Sequence, residues 1–221
     1  MSFFLLRRVT PAALPTSYST NWDATENPLS EGGKWLGGLT VGANWNDMRS
    51  ASGLCYATSG SLVDYKDCLA VLNSAMYNIP ADHQVTLTVS KTAYTPPGSH
   101  ELEILLRASA ANDNFGLYEG LIPYSASEQV VRQNGSYSPG GNFTVLSTGG
   151  SGMGGIANGD TLRGKIVGSS LSYYKNGSGT AFMTATDSTH TGGSIGIGAW
   201  VSDGGTPENF CSTSWAGQVA V

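Results

Sequence analysis

GDTLRGKIVGSSLSYYKNGSGTAFMTAT, residues Gly159 to Thr186, decides the fold. Three short runs of alternating character are separated by glycine-rich breaks. In Thr161–Val167, Leu162, Gly164 and Ile166 fall on one face, and Arg163 and Lys165 on the other. A period of two is the signature of a half-buried strand. Gly168-Ser169 is a turn signal. Leu171–Lys175 follows, with Leu171 and Tyr173 on one face. Asn176-Gly177 is the residue pair best able to take positive φ at both central positions of a tight turn. Thr180–Thr186 is the third run. The stretch predicts an antiparallel meander, which has one face to bury and two open edges. It needs a second layer to cover it, and the rest of the chain must supply that layer.

Working outward, the neighbouring segments read as further strands. His83–Lys91 (HQVTLTVSK) alternates Val85, Leu87 and Val89 against Gln84, Thr86 and Thr88. Glu101–Ser109 sets Leu102, Ile104 and Leu106 against Glu101, Glu103, Leu105 and Arg107. A helix competes there, but Pro96-Pro97-Gly98 and Asn112-Asp113-Asn114 bracket the run as turns. Strands are also expected at Phe115–Ile122, Ser127–Gln133, Phe143–Ser147 and Ser214–Val221. Tyr65–Leu72 is open between helix and strand. The expected division is an extended N-terminal arm over 1–20 and an all-β domain over 21–221. Within the arm Phe3, Phe4, Leu5, Leu6, Val9 and Leu14 are apolar without a partner of their own, so they are candidates for docking on a neighbouring subunit or on the domain itself.

Composition narrows the function. Of 221 residues, 12 % are charged, about half the usual ~25 % share, and Gly, Ser, Thr and Asn replace them. The net charge of −5 gives no electrostatic footprint for nucleic acid. No run approaches the ~18 apolar residues of a membrane helix. MSFFLLRRVTPAALP does not read as a secretory signal, because its apolar run is short and its arginines follow it. A surface of this type without an export route points to a phage structural protein, with an extracellular protein as the alternative. Three cysteines, Cys55, Cys68 and Cys211, leave at least one thiol free. Buried free thiols are the expectation, and a Cys55–Cys68 bridge is the alternative.

Several of these pieces together resemble a known family. Asn21–Trp35, with Glu26-Asn27-Pro28-Leu29-Ser30, then Gly32-Gly33, then Trp35, is similar to the opening of concanavalin A-like jelly-roll domains. Asp23-Ala24-Thr25 stands where those domains more often carry Arg-Ala-Asp/Asn. HQVTLTVS, the LRAS ending at Ser109, GDTL at 159–162, the Tyr174-Lys175-Asn176-Gly177 hairpin and GSIGIGAW at 193–200 follow in the familiar order. The resemblance spans residues 18–221. It implies the concanavalin A-like lectin/glucanase superfamily, LamG-like and of the phage-associated type, with a two-sheet antiparallel jelly-roll sandwich. That fold hosts lectins, glycanases, lyases and structural modules, so the resemblance leaves function open.

The motifs for chemistry are sparse. Glycanases need two carboxylates flanking the scissile bond. Glu101-x-Glu103 is the single such pair inside an expected strand, and beside His100 it reads as a solvated strand end. The Glu-x-Asp-x-x-Glu signature of glycanases with this fold is absent. No G-x-S-x-G occurs, and His83, His100 and His190 sit near turns. His190 reads as an exposed loop residue. Calcium is conceivable on Asp/Asn/Gly loops, with Asp203 and Asp113 as the candidates, but such clusters are ordinary turns in most proteins. Candidate sugar-stacking aromatics are Tyr118, Tyr124, Tyr137 and Trp45, whereas Trp35, Trp200 and Trp215 are expected in the core. The leading expectation is therefore a non-enzymatic virion subunit (decoration, cement or fibre-type) that contacts other subunits or its own copies and takes a cell-surface glycan. A carbohydrate-binding lectin-like module is the second reading, and a glycan hydrolase or lyase the third.

Overall fold

Buried and more exposed side chains alternate along several segments, Asn46–Ala51 and Thr161–Val167 among them. The computed structural model describes residues 12–43, 45–58, 67–93, 100–111, 114–124, 126–135, 142–149, 155–202 and 205–220. Among the described residues fifteen strands are formed: β1 Tyr18–Thr20, β2 Trp35–Gly37, β3 Asn46–Ala51, β4 Leu54–Ala57, β5 Asp67–Leu72, β6 His83–Lys91, β7 His100–Ala111, β8 Asn114–Pro123, β9 Gln129–Asn134, β10 Phe143–Thr148, β11 Thr161–Val167, β12 Ser170–Lys175, β13 Met183–Thr186, β14 Ser194–Val201 and β15 Phe210–Val219. A 3-10 turn at Pro207–Asn209 leads into β15. The chain is all-β, and among the described residues no helix is long and apolar enough to cross a membrane.

The strands hydrogen-bond in the order β10-β9-β8-β7-β14-β5-β3-β4-β15-β6-β11-β12-β13. β1 adds to β15 and β2 to β5. All of these pairs are antiparallel except β3 with β5. The path nearly closes on itself, for β10 comes back against β13. The meander forms as its sequence demands. β11 pairs with β12 through Val167↔Ser170 around Gly168, which has φ +56°, and β12 pairs with β13. Asn176 and Gly177 both take positive φ. The third run is shorter than its sequence suggests, starting at Met183, because Asn176–Phe182 is spent on the connection. Tyr65–Leu72, open in the sequence, forms β5 from Asp67, and all six of its residues are buried.

The halves of the path face each other. Ile104 and Leu106 of β7, Leu87 of β6, Leu162 of β11, Tyr173 of β12 and Ile197 of β14 share one core. Gly164 of β11 sits directly against Ile104 and the Tyr173 ring. Trp22, Trp35 and Trp215 anchor one end, with ring centroids 5.6 and 4.8 Å apart. β1 pairs with the last strand through Tyr18↔Gly217 in the β1–β15 ladder. Cys55, Cys68 and Cys211 are buried thiols outside any disulfide, and burial pushes the Cys68 and Cys211 thiols up to about 12.

A second, smaller cluster lies on the opposite face of β5, β7 and β8. Ala43 and Trp45 press onto Leu69, Val71, Leu105 and Leu117. The segment after β2 folds back over the sheet through hydrogen bonds from Val41 N to Gly37 O (3.1 Å) and Ala43 N to Gly38 O (3.0 Å). This flap covers part of that face and leaves the rest open.

Candidate functional site

Strand register decides which side chains reach the open part. Side chains two residues apart share a face. Trp200 of β14 lies opposite Asp67 of β5 and Glu101 of β7. Gly198 lies between Leu69 and Glu103. Glu119 of β8 pairs with Leu105 on one side and Val131 of β9 on the other. Gln133 pairs with Leu117 and with Phe143 of β10. One surface thus carries a row of carboxyls, amides and aromatic rings. It forms a cleft of ≈ 320 Å³ lined by Asp67, Glu101, Glu119, Gln129, Phe143 and Trp200, among others.

The carboxyls are held under strong constraint. Asp67, Glu101 and Glu103 each bring an oxygen within 4.8 Å of the other two. Glu103 has no solvent exposure, and neither of its oxygens has a hydrogen-bond partner. Its side chain occupies the space that a Cβ at Gly198 would take. Glu119 accepts a hydrogen bond from Gln133 Nε2 at 3.2 Å. Burial, reinforced by Asp67, raises Glu101 to about 7. Burial, then the neighbouring carboxyls, raises Glu103 and Glu119 as well. Carboxyls pressed together in a low-dielectric site resist ionising together.

The reading of Glu101 and Glu103 as a solvated strand end is thereby corrected. The strand continues to Val201↔His100 in its β14 ladder, so the pair sits inside the sheet. The core placement of Trp200 is corrected too: Trp35 and Trp215 are buried at the core, but Trp200 is half-buried in the cleft. His190 is half-buried rather than exposed. Its Nε2 hydrogen-bonds with Gln133 O at 2.8 Å, and its ring packs edge-on against Tyr118.

The sequence-nominated aromatics lie elsewhere. Tyr118 has no exposure. It is on the core face of β8, donating to Asp187 Oδ1 at 2.7 Å and accepting from His190 N at 2.9 Å. Trp45 is 2 % exposed, pressed by the flap onto the sheet beside Phe115. Neither presents a ring face to solvent. Tyr124 packs against the main core instead of lining the cleft, donating to Thr92 O at 2.9 Å, with Lys91 Nζ 4.0 Å from its ring centroid. Tyr137, Asp113, Asp203 and the arm residues Phe3, Phe4, Leu5, Leu6 and Val9 lie outside the described residues, while Leu14 is exposed. Asp67, Glu119, Gln129, Gln133 and Phe143 were not marked by any motif. What unites them is a register that no short-range pattern encodes.

Known proteins share this architecture at low sequence identity. The chain is similar to a beta-1,3-glucanase from Mycobacterium marinum, at 10 % identity and a TM-score of 0.52 over 90 % of this chain and 97 % of that one. It is similar to a pseudo beta-1,3-glucanase and immunostimulatory antigen of Mycobacterium tuberculosis, at 8 % identity and 0.55 over 92 % and 98 %. A legume lectin-like domain from Entamoeba histolytica matches at 10 % identity and 0.51 over 91 % and 99 %. The fold is the concanavalin A-like one of lectins and glucanases. No family model matches the sequence, and no curated protein does.

Proposed function

We propose that the protein binds glycan in the cleft over β7, β8 and β9, as a lectin-like module that does not cleave it. This reading takes the two facing halves of the strand path as the sheets of a jelly-roll sandwich. The observation that carries it is the composition of the cleft: Trp200 and Phe143 offer ring faces, and Asp67, Glu101, Glu119, Gln129 and Gln133 offer planar polar groups between them. A pyranose has an apolar C–H face that stacks on a ring and hydroxyls that pair with carboxylates and amides. Concave sites with a few convergent polar groups are the usual form of a small-ligand pocket. The likeness in fold to a legume lectin-like domain and to a beta-1,3-glucanase supports the same class of ligand.

Binding is preferred over hydrolysis because β7 carries Leu105 and Leu106 after Glu101-x-Glu103, where the glycanase signature needs a further carboxylate. The finer reading, a phage virion subunit docked through residues 1–20 and located in the virion, rests on composition and on arm residues outside those described, so glycan binding is the part carried forward. A glycan array followed by calorimetry with the best oligosaccharide tests it. Saturable binding that is weakened by Phe143→Ala and Trp200→Ala is expected, with no new reducing ends released. An array without hits overturns the reading, and release of reducing ends replaces binding with hydrolysis.

A further inference from the structure

Glu103 poses a problem that sugar binding does not solve. A fully buried carboxyl ordinarily finds hydrogen-bond partners, and one left without them costs free energy whether charged or neutral. Protonation alone does not help, since the acid O–H would still lack an acceptor: neither oxygen of Glu103 has a partner. Among the described residues, the carboxyls of Glu119, Asp67 and Glu101 are the acidic neighbours that act on it. A bound cation satisfies both oxygens and offsets the repulsion at once.

We propose that Asp67, Glu101 and Glu103 hold a divalent cation of the calcium type at the floor of the cleft. Their oxygens lie within 4.8 Å of one another. Two ligands on one calcium, each at about 2.3–2.6 Å, can be no more than about 5 Å apart, so a single ion can be shared by all three. The donors are oxygen only and anionic, which suits a hard cation and disfavours zinc or copper. The three ligands come from β5 and β7 on either side of β14, and Gly198 supplies the gap: a side chain there would collide with Glu103. Asp67 and Glu101 also line the cleft, so the ion has a path from solvent, and water can complete its shell. The site is on the sheet and uses neither Asp113 nor Asp203.

The test uses the full chain without sugar, so it stands or falls separately from glycan binding. After chelator treatment, calcium is titrated by calorimetry at pH 8. In parallel, terbium(III) is added and its emission excited through tryptophan, since Trp200 lies between Asp67 and Glu101 in the ladder. One-site calcium binding, sensitised terbium emission displaced by calcium, and affinity reduced about tenfold or more in both Glu103→Gln and Asp67→Asn are expected, as calcium affinity follows ligand charge. Folding of each variant is checked by circular dichroism, and Asp67→Asn serves as the arm if Glu103→Gln does not fold. Absence of calcium heat and of sensitised emission overturns the proposal. So does a folded variant that binds calcium as tightly as the wild type.

Discussion

Phe143→Ala offers a direct measure of the cleft as a stacking site. Phe143 is on the edge strand β10 and 51 % exposed. An aromatic side chain presents about 150–250 Å² in total, so about 100 Å² of this one faces water. A sugar ring stacked on one side covers about half of that, ~50 Å². At ~25 cal/mol per Å² the contact is worth about 1.2 kcal/mol. Calorimetry with an oligosaccharide taken from the array should therefore show a dissociation constant raised about eightfold. The edge position predicts little cost to the fold, so the melting temperature should move by no more than about 2 °C. An unchanged dissociation constant in the folded variant would refute the stacking geometry. A large fall in melting temperature would refute the view that the ring is spare to the core.

Other expectations concern the scaffold. Gly164→Ala places a methyl 2.8 Å from both Ile104 Cγ2 and Tyr173 Cε1; overpacking of this kind costs about 1–3 kcal/mol, and urea unfolding should show a lower midpoint at constant slope. His83 is fully buried, and burial lowers it to about 4. Between pH 6.5 and 4 the unfolded chain therefore takes up a proton that the native state refuses. The His83 contribution is intact above pH 6.5 and is lost as pH falls, by up to about 3 kcal/mol. The pH dependence of urea stability should be flatter in His83→Gln than in the wild type, and identical slopes would contradict this. Finally, a thiol reagent at pH 8 should find no reactive cysteine in the native protein and three in denaturant, since all three thiols are buried.

What the sequence made legible was periodicity. HQVTLTVSK and TLRGKIV each announced a strand and its buried face, ELEILLRAS announced a strand and one of its two buried faces, and Asn176-Gly177 announced its turn, because those signals are local. β5 was ambiguous for a physical reason: DCLAVL is buried on both faces, and a short apolar run without alternation fits strand and helix alike. The cleft was not legible. Its carboxyls come from residues 67, 101, 103 and 119, and they converge because β5, β14, β7 and β8 are neighbours in an order that the chain does not follow. Tyr118 and Trp200 exchanged places for the same reason. Whether an aromatic on a two-sided strand points inward depends on which side receives the second layer, and for β8 and β14 that is settled by distant partners.

The flap that lays Ala43 and Trp45 across Leu69, Val71, Leu105 and Leu117 shapes what the cleft can admit. Without it the sheet would offer a trough open at both ends, along which a polysaccharide could lie at full length. With it, part of that face is covered, and a glycan bound as proposed would have to present its tip or a short branch. Selectivity would then follow from how a glycan terminates more than from the repeat that makes up its body.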